Sequence, residues 1–309
     1  MRKGSAVLVA VLLVLGAWGN THAGSYTYAT LNYPGAGVYQ TFAYGINNAG
    51  TIVGAYYEAG GNKDVYHGFS LTGTTYIPLN YPNSASTALH GINTAGTIVG
   101  TAMYWSGDAK RYQGFSLSGG VYTNVSGTIY AINDRGTIVG DSVDATGTHG
   151  FSLSGTTYSL LDYPGASITY AYGVNDAGTI VGAFIDTNKS AHGFSLSGTT
   201  YSLLDYPGAL ATYVYDINNA GAIVGEYYDG SVYHPFMLSG GAFTTLTPPG
   251  AISAFATGIN DAGVIVGSYA DATGLCHGFT ATPVPVPASL LLFAPGLVGL
   301  AAMRRKFRK

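Results

Sequence analysis

Apolar and polar positions alternate along most of the chain in short runs broken by Gly, Asn and Ser. Examples are Thr51-Ile52-Val53-Gly54-Ala55-Tyr56-Tyr57, His67-Gly68-Phe69-Ser70-Leu71 and Thr157-Tyr158-Ser159-Leu160-Leu161. Alternation with a period of two, rich in β-branched and aromatic residues, predicts strands with one face buried. Long apolar runs occur only at the two ends.

The runs recur in fixed order. GINNAGTIVG begins at Gly45, GINTAGTIVG at Gly91, AINDRGTIVG at Ala131, GVNDAGTIVG at Gly173, DINNAGAIVG at Asp216 and GINDAGVIVG at Gly258, at spacings of 46, 40, 42, 43 and 42 residues. A second segment, HGFSL at His67, returns in phase at Gln113, His149, His192, His234 and His277. A third, centred on an aromatic residue, returns at Tyr28, Tyr76, Tyr122, Tyr158, Tyr201 and Phe243, and usually leads into Asn/Asp-Tyr-Pro-Gly-Ala. Each unit thus predicts four strands. Asn-x-x-Gly between the first two is a hairpin turn, because Asn bonds its own backbone and Gly takes positive φ.

Four antiparallel strands per unit of this length, repeated six times, predict a six-bladed β-propeller. A closed ring leaves only short edges and so protects a chain with 9% charged residues from edge-to-edge pairing. Pro does not fit a central ladder, so Tyr-Pro-Gly-Ala marks the crossing to the next blade, and each blade starts with its AYGIN-type strand at the axis. The N-terminal strand, Ser25 to Leu31, then becomes the outermost strand of the last blade and closes the ring. A β-solenoid or prism is the alternative, disfavoured by the tight hairpins.

The two ends carry addresses. Arg2 and Lys3 precede an apolar run from Ala6 to Trp18, and Thr21-His22-Ala23 supplies small residues at a cleavage site before Gly24. Residues 1–23 are therefore expected to be a cleaved signal peptide, 24–281 the propeller and 282–309 a sorting tail. The tail reads Val284-Pro285-Val286-Pro287-Ala288-Ser289, then an apolar run to Met303, then a basic cluster from Arg304 to Lys309. This layout resembles the PEP-CTERM sorting signal of Gram-negative bacteria, with Val286 where Glu is usual. The resemblance implies an exosortase-type membrane protease as partner, transient inner-membrane anchoring by a short transmembrane helix, and an exopolysaccharide or biofilm setting. The repeats in 26–281 resemble the HAF-repeat family of bacterial extracellular proteins, which implies an extracellular setting and no particular reaction.

Charge and cysteine usage narrow the partners. Seven of the 12 basic residues lie at the termini, so the middle carries 5 basic against 15 acidic groups, a net charge of −10. That disfavours a nucleic-acid surface, which needs a basic patch. Cys276 is the single cysteine, so no intramolecular disulfide forms.

Function is sought where the repeats differ. The loops between second and third strands share a face with the crossings. They bring Tyr56, Tyr57, Tyr104, Trp105, Tyr227 and Tyr228 together with most of the non-repeated acids. Rings stack on sugar C–H faces and carboxylates accept from hydroxyls, so these six residues are the candidate glycan contacts. The repeated histidines and the Asn-Asp-Ala-Gly acids read as structural, and Asp144-Ala-Thr-Gly and Asp271-Ala-Thr-Gly as polar turns. No hydrolase elbow, zinc-protease helix or phosphate loop is present, and no cofactor or metal is expected. A glycosidase needs two carboxylates at close range. Glu58, Asp108, Asp141, Asp186, Glu226 and Asp271 are the acids that could meet at a channel mouth. The expectation is a non-enzymatic surface or matrix protein that binds glycan. A propeller glycan hydrolase or lyase and a purely structural surface protein are the alternatives.

Overall fold

The structure is a computed structural model that describes residues 26–285 apart from 36, 59–64 and 108. The expected signal peptide and the tail from Val286 onward, including Pro287, Ala288 and Ser289, lie outside the described residues; Val284 and Pro285 follow the last strand.

Every described element is a strand. β1 (Tyr26–Leu31) is set apart in sequence from its partners. Sheet 1 comprises β2 (Val38–Ile46), β3 (Ile52–Glu58), β4 (His67–Thr72) and β5 (Thr75–Pro78). Sheet 2 comprises β6 (Ser86–Ile92), β7 (Ile98–Ser106), β8 (Ala109–Ser118) and β9 (Val121–Val125). Sheet 3 comprises β10 (Thr128–Ile132), β11 (Ile138–Val143), β12 (Thr148–Ser154) and β13 (Thr157–Leu161). Sheet 4 comprises β14 (Ile168–Val174), β15 (Ile180–Ile185), β16 (Ala191–Ser197) and β17 (Thr200–Leu203). Sheet 5 comprises β18 (Ala211–Ile217), β19 (Ile223–Tyr228), β20 (Tyr233–Ser239) and β21 (Ala242–Thr245). Sheet 6 comprises β22 (Ser253–Ile259), β23 (Ile265–Ala270) and β24 (Cys276–Pro283), and β1 is its fourth strand.

Within each sheet neighbouring strands pair antiparallel in chain order; one parallel pair, Thr148 with Ile168, joins sheets 3 and 4. β1 lies along β24 from Tyr26 opposite Pro283 to Leu31 opposite Gly278. The N-terminal strand therefore completes the last sheet, as the phase of the repeats implies. First strands contact first strands around the whole set, including β22 against β2.

The core lies between sheets. The Phe of each HGF-type segment, Phe69, Phe115, Phe151, Phe194, Phe236 and Phe279, is fully buried, and Val53 of sheet 1 joins the core of sheet 2. Truncating such a Phe to Ala costs about 3–5 kcal/mol. The Gly of Ile-Val-Gly is dictated by this packing: a Cβ on Gly140 would collide with Thr128 O and the Phe151 ring.

One residue per repeat closes the assembly. Asn47, Asn93, Asn133, Asn175, Asn218 and Asn260 are buried at the first hairpin turn. In Asn47, Oδ1 accepts from Thr51 N at 2.9 Å, holding a turn in which Gly50 has φ 80°. Each side chain also donates through Nδ2 to the backbone carbonyl of the next such Asn: 47 to 93 at 3.1 Å, 93 to 133 at 3.2 Å, 133 to 175 at 2.9 Å, 175 to 218 at 3.3 Å, 218 to 260 at 3.0 Å and 260 to 47 at 3.2 Å. The bonds return to their starting residue. A second row runs outside it, in which Asp134, Asp176 and Asp261 accept from the backbone N–H of Thr94, Asp134 and Asn219. The turn acids thus also join neighbouring sheets.

Candidate functional site

The first strands carry one irregularity in common. Their pairing register skips Tyr44, His90, Tyr130, Tyr172, Tyr215 and Thr257. A bulge leaves its extra residue unpaired and re-aims the side chain. All six line a cavity of about 290 Å³ on the axis, together with Phe42, Phe255 and Ser268. The rings follow one another around it: Tyr44 to His90 at 5.3 Å between centroids, His90 to Tyr130 at 5.9 Å, Tyr130 to Tyr172 at 4.8 Å and Tyr172 to Tyr215 at 5.3 Å. The same rings border a second cavity of about 90 Å³ at the end closed by the asparagine turns. Phe42, Phe255 and Ser268 line the larger cavity on the other side of the ring, toward the strand ends that meet the crossings and loops.

Behind this ring stand groups that are not repeated. The residue after Ile-Val-Gly is Ala55, Thr101, Asp141, Ala183, Glu226 and Ser268 in successive sheets. Asp141, Glu226 and Ser268 are buried, at 6%, 5% and 4% exposure. The Tyr215 hydroxyl donates to Glu226 Oε1 at 2.6 Å, and Tyr130 likewise engages Asp141. The other oxygens, Glu226 Oε2 and Asp141 Oδ1, have no partner, nor do Thr101 Oγ1 and Ser268 Oγ. Burial pushes the Glu226 carboxyl up to about 7, against the opposing bond from Tyr215, and raises Asp141 as well. Burial pushes the His90 imidazole down to about 4, so it is neutral near pH 7. Asp216, where most units have Gly, is pushed up to about 7 by burial although it accepts from Ile217 N and Ile259 N.

The loop-side end is built on aromatic stacks. Tyr33, Tyr163 and Tyr206 of the crossings stack on Tyr56, Phe184 and Tyr227 of the second strands, with ring centroids 3.7 Å apart and planes nearly parallel, while Tyr81 meets Tyr104 edge-on at 6.0 Å. Tyr56 is buried in this way, Tyr104 and Tyr227 are half-buried, and burial raises the Tyr104 hydroxyl to about 12. Tyr57 lies 6.3 Å from Tyr66, and Tyr228 lies 4.9 Å from Tyr233. Trp105 is 46% exposed, with Lys110 Nζ 5.5 Å from its ring. The six sequence-derived candidates therefore divide between stacks within a sheet and one open indole at the loop end. They do not meet at one point.

The repeated histidines hold loops together. His149 Nδ1 lies 2.7 Å from Asp162, and His192 Nδ1 lies 2.7 Å from Asp205, both on crossings. His234 and His277 reach Asp229 and Asp271 of the variable loops at 2.8 and 3.0 Å. Asp271 also caps its own turn, accepting from Thr273 N and Oγ1 and Leu275 N. Gln113 keeps the role by donating to the carbonyls of Gly114 and Val125. Among the described residues no cluster of three His, Cys, Asp or Glu is placed to hold a metal ion. Asp108 and the side chain of Glu58 lie outside the described residues.

A family described as a protein of unknown function, DUF3466, matches residues 17–200, more than half of the chain. The chain belongs to the DUF3466 family. No curated protein matches it. Solved structures similar to this DUF3466 chain include a variant of the Aleuria aurantia lectin in complex with alpha-methyl-L-fucoside, at 7% identity, covering 81% of this chain and 97% of the lectin, with TM-score 0.44. A Pyrococcus horikoshii acylaminoacyl peptidase shares 7% identity over 84% of this chain and 54% of its own, with TM-score 0.48. YCF48 bound to D1 peptide shares 11% identity over 86% of this chain and 97% of its own, with TM-score 0.40.

In this DUF3466 chain the axial ring is the feature that the sequence-derived candidates missed. Its signal was present: one residue before the Gly-Ile-Asn segment of each unit stands Tyr44, His90, Tyr130, Tyr172, Tyr215 or Thr257. Strict alternation assigns that position to a sheet face, and only the bulge turns it to the axis. Asp141 and Glu226 were among the candidate acids, but the sequence could not say that these two are buried behind the ring.

Proposed function

We propose that this protein is an exported six-bladed β-propeller that binds carbohydrate at the loop-side mouth of its central channel and catalyses no reaction. The observation that carries this reading is the ring of bulged aromatic residues facing the axial cavity, backed by carboxylates found in single sheets. Tyrosine rings offer flat faces to sugar C–H groups. Glu226, Asp141 and Ser268 offer acceptors for hydroxyls, and their unpartnered oxygens have something to gain from a polar ligand. The signal-like N-terminus and the resemblance of the tail to PEP-CTERM signals support export, transient anchoring and processing by an exosortase-type protease. The HAF-like repeats and those addresses support a place at the cell surface or in an exopolysaccharide matrix.

An enzyme acting on glycans is the second reading. Glu226 favours it, since a carboxyl held near 7 suits general acid or base work. Against it, Asp141 and Glu226 belong to sheets 3 and 5, and each engages its own tyrosine. A glycan array probed with the purified chain, with reducing-end and unsaturated-product assays on the same polysaccharides, separates the readings. Binding without product supports the binding protein; product formation replaces it with the enzyme. Neither binding nor product leaves a purely structural role.

A further inference from the structure

Resting on the reading that the channel binds sugar, we propose that it selects sugars carrying a free ammonium group over neutral and anionic ones. Three independent features of the cavity lead there.

The first is its wall. Phe42, Tyr44, Tyr130, Tyr172, Tyr215 and Phe255 surround the space from five sheets. Aromatic faces converging on one point attract a cation through their quadrupoles. A hydroxyl gains less from such a wall.

The second is the set of unsatisfied acceptors. Glu226 Oε2, Asp141 Oδ1 and Ser268 Oγ are buried without a hydrogen-bond partner. Ser268 lines the cavity directly, and the two carboxylates stand behind Tyr215 and Tyr130, which do. A buried carboxylate is costly unless paired with a positive group. An ammonium donates up to three hydrogen bonds and supplies that charge.

The third is the lack of any cation in the wall. No Lys or Arg is among the described residues lining this cavity, and its one basic residue, His90, is held neutral by burial. Lys110 borders an adjoining cavity that shares His90 with this one, and its ammonium sits over Trp105. An anionic sugar would find no positive group in this wall and two carboxyl groups behind it. The volume, about 290 Å³, lies near the lower end of small-molecule pockets, about 300–1,000 Å³. It suits a single sugar unit or chain end.

The test uses the full chain and three soluble probes, glucosamine, glucose and glucuronate, titrated at equal ionic strength by calorimetry. Glucosamine should bind at least tenfold more tightly than glucose, and glucuronate should not bind. Glu226→Gln and Asp141→Asn, alone and together, should abolish the preference, so that each variant binds glucosamine no more tightly than it binds glucose. Equal binding of glucosamine and glucose by the unaltered chain would overturn the ammonium selectivity and leave the sugar reading standing. Binding of none of the three, alongside a blank glycan array, would overturn both. The comparison among probes needs only the unaltered chain, so it holds even where a variant fails to fold.

Discussion

Asn260 Nδ2 donates to the backbone carbonyl of Asn47 at 3.2 Å, across 213 residues of sequence. This bond joins the last repeat to the first and completes the circuit that the other five asparagines build between neighbours. Five of those bonds link adjacent repeats and would form in an open array. The sixth forms only when the two ends of the array meet.

Asn260→Ala removes that donor together with the Oδ1 acceptor for Val264 N, leaving buried polar groups unpaired. The loss should be roughly 2–4 kcal/mol, from two bonds and the desolvation of their partners. Urea unfolding should show it, and Asn260→Asp should recover less than half, because a carboxylate cannot donate to Asn47 O.

β1 should be needed for a soluble fold. A chain beginning after Leu31 loses all six rows of pairing with β24 and exposes that strand as an edge. It should melt at least 10 °C lower and elute partly as aggregate in size-exclusion chromatography. Supplying residues 24–33 as a peptide should reverse part of the effect.

Glu226 makes stability fall as pH rises. Its folded value, about 7, lies above the ordinary 4.5, so between these values the native state holds a proton that the unfolded chain releases. Stability is greatest below the unfolded value, declines through that window and is level above it, a loss on the order of 3 kcal/mol at most. His90 acts from the other side: with its folded value near 4, stability declines as pH falls below 6.5. Asp216, also held near 7 by burial, acts in the same direction as Glu226, so chemical denaturation from pH 4 to 8 should show stability falling toward pH 7, and Glu226→Gln should make that fall shallower.

The loop acids give a separate acid limb. Hydrogen bonds from Ser231, Val232 and His234 hold Asp229 below the usual carboxylate range, and Thr273 and His277 do the same for Asp271. A carboxyl depressed on folding stabilises above its unfolded value and loses that contribution as pH falls through the folded one. Asp229→Asn and Asp271→Asn should therefore shrink the drop in melting temperature below pH 4.

Much of the fold was legible because each repeat states it redundantly. Six Asn-x-x-Gly turns, six Ile-Val-Gly segments and the out-of-phase N-terminal strand fix strand order, hairpins and the pairing of β1 with β24. The candidate site was less legible. Tyr56 and Tyr227 vary in sequence neighbourhood yet serve the same structural stack, in which sheet 4 uses Phe184. The axial residues owe their direction to a one-residue bulge, which alternation along a strand does not encode. The inward acids, Asp141 and Glu226, differ from the loop acids only by a few positions along the second strand.

The axial ring is the proposed sugar site. The most direct measurement is the affinity of the unaltered chain and of Tyr172→Ala for the best array ligand, by titration calorimetry, with circular dichroism to confirm the fold. Tyr172 sits between Tyr130 and Tyr215 and faces the cavity, so its loss should weaken binding at least tenfold, whereas Trp105→Ala at the loop end should change it by less than threefold. Undiminished affinity in a folded Tyr172→Ala protein would contradict the account.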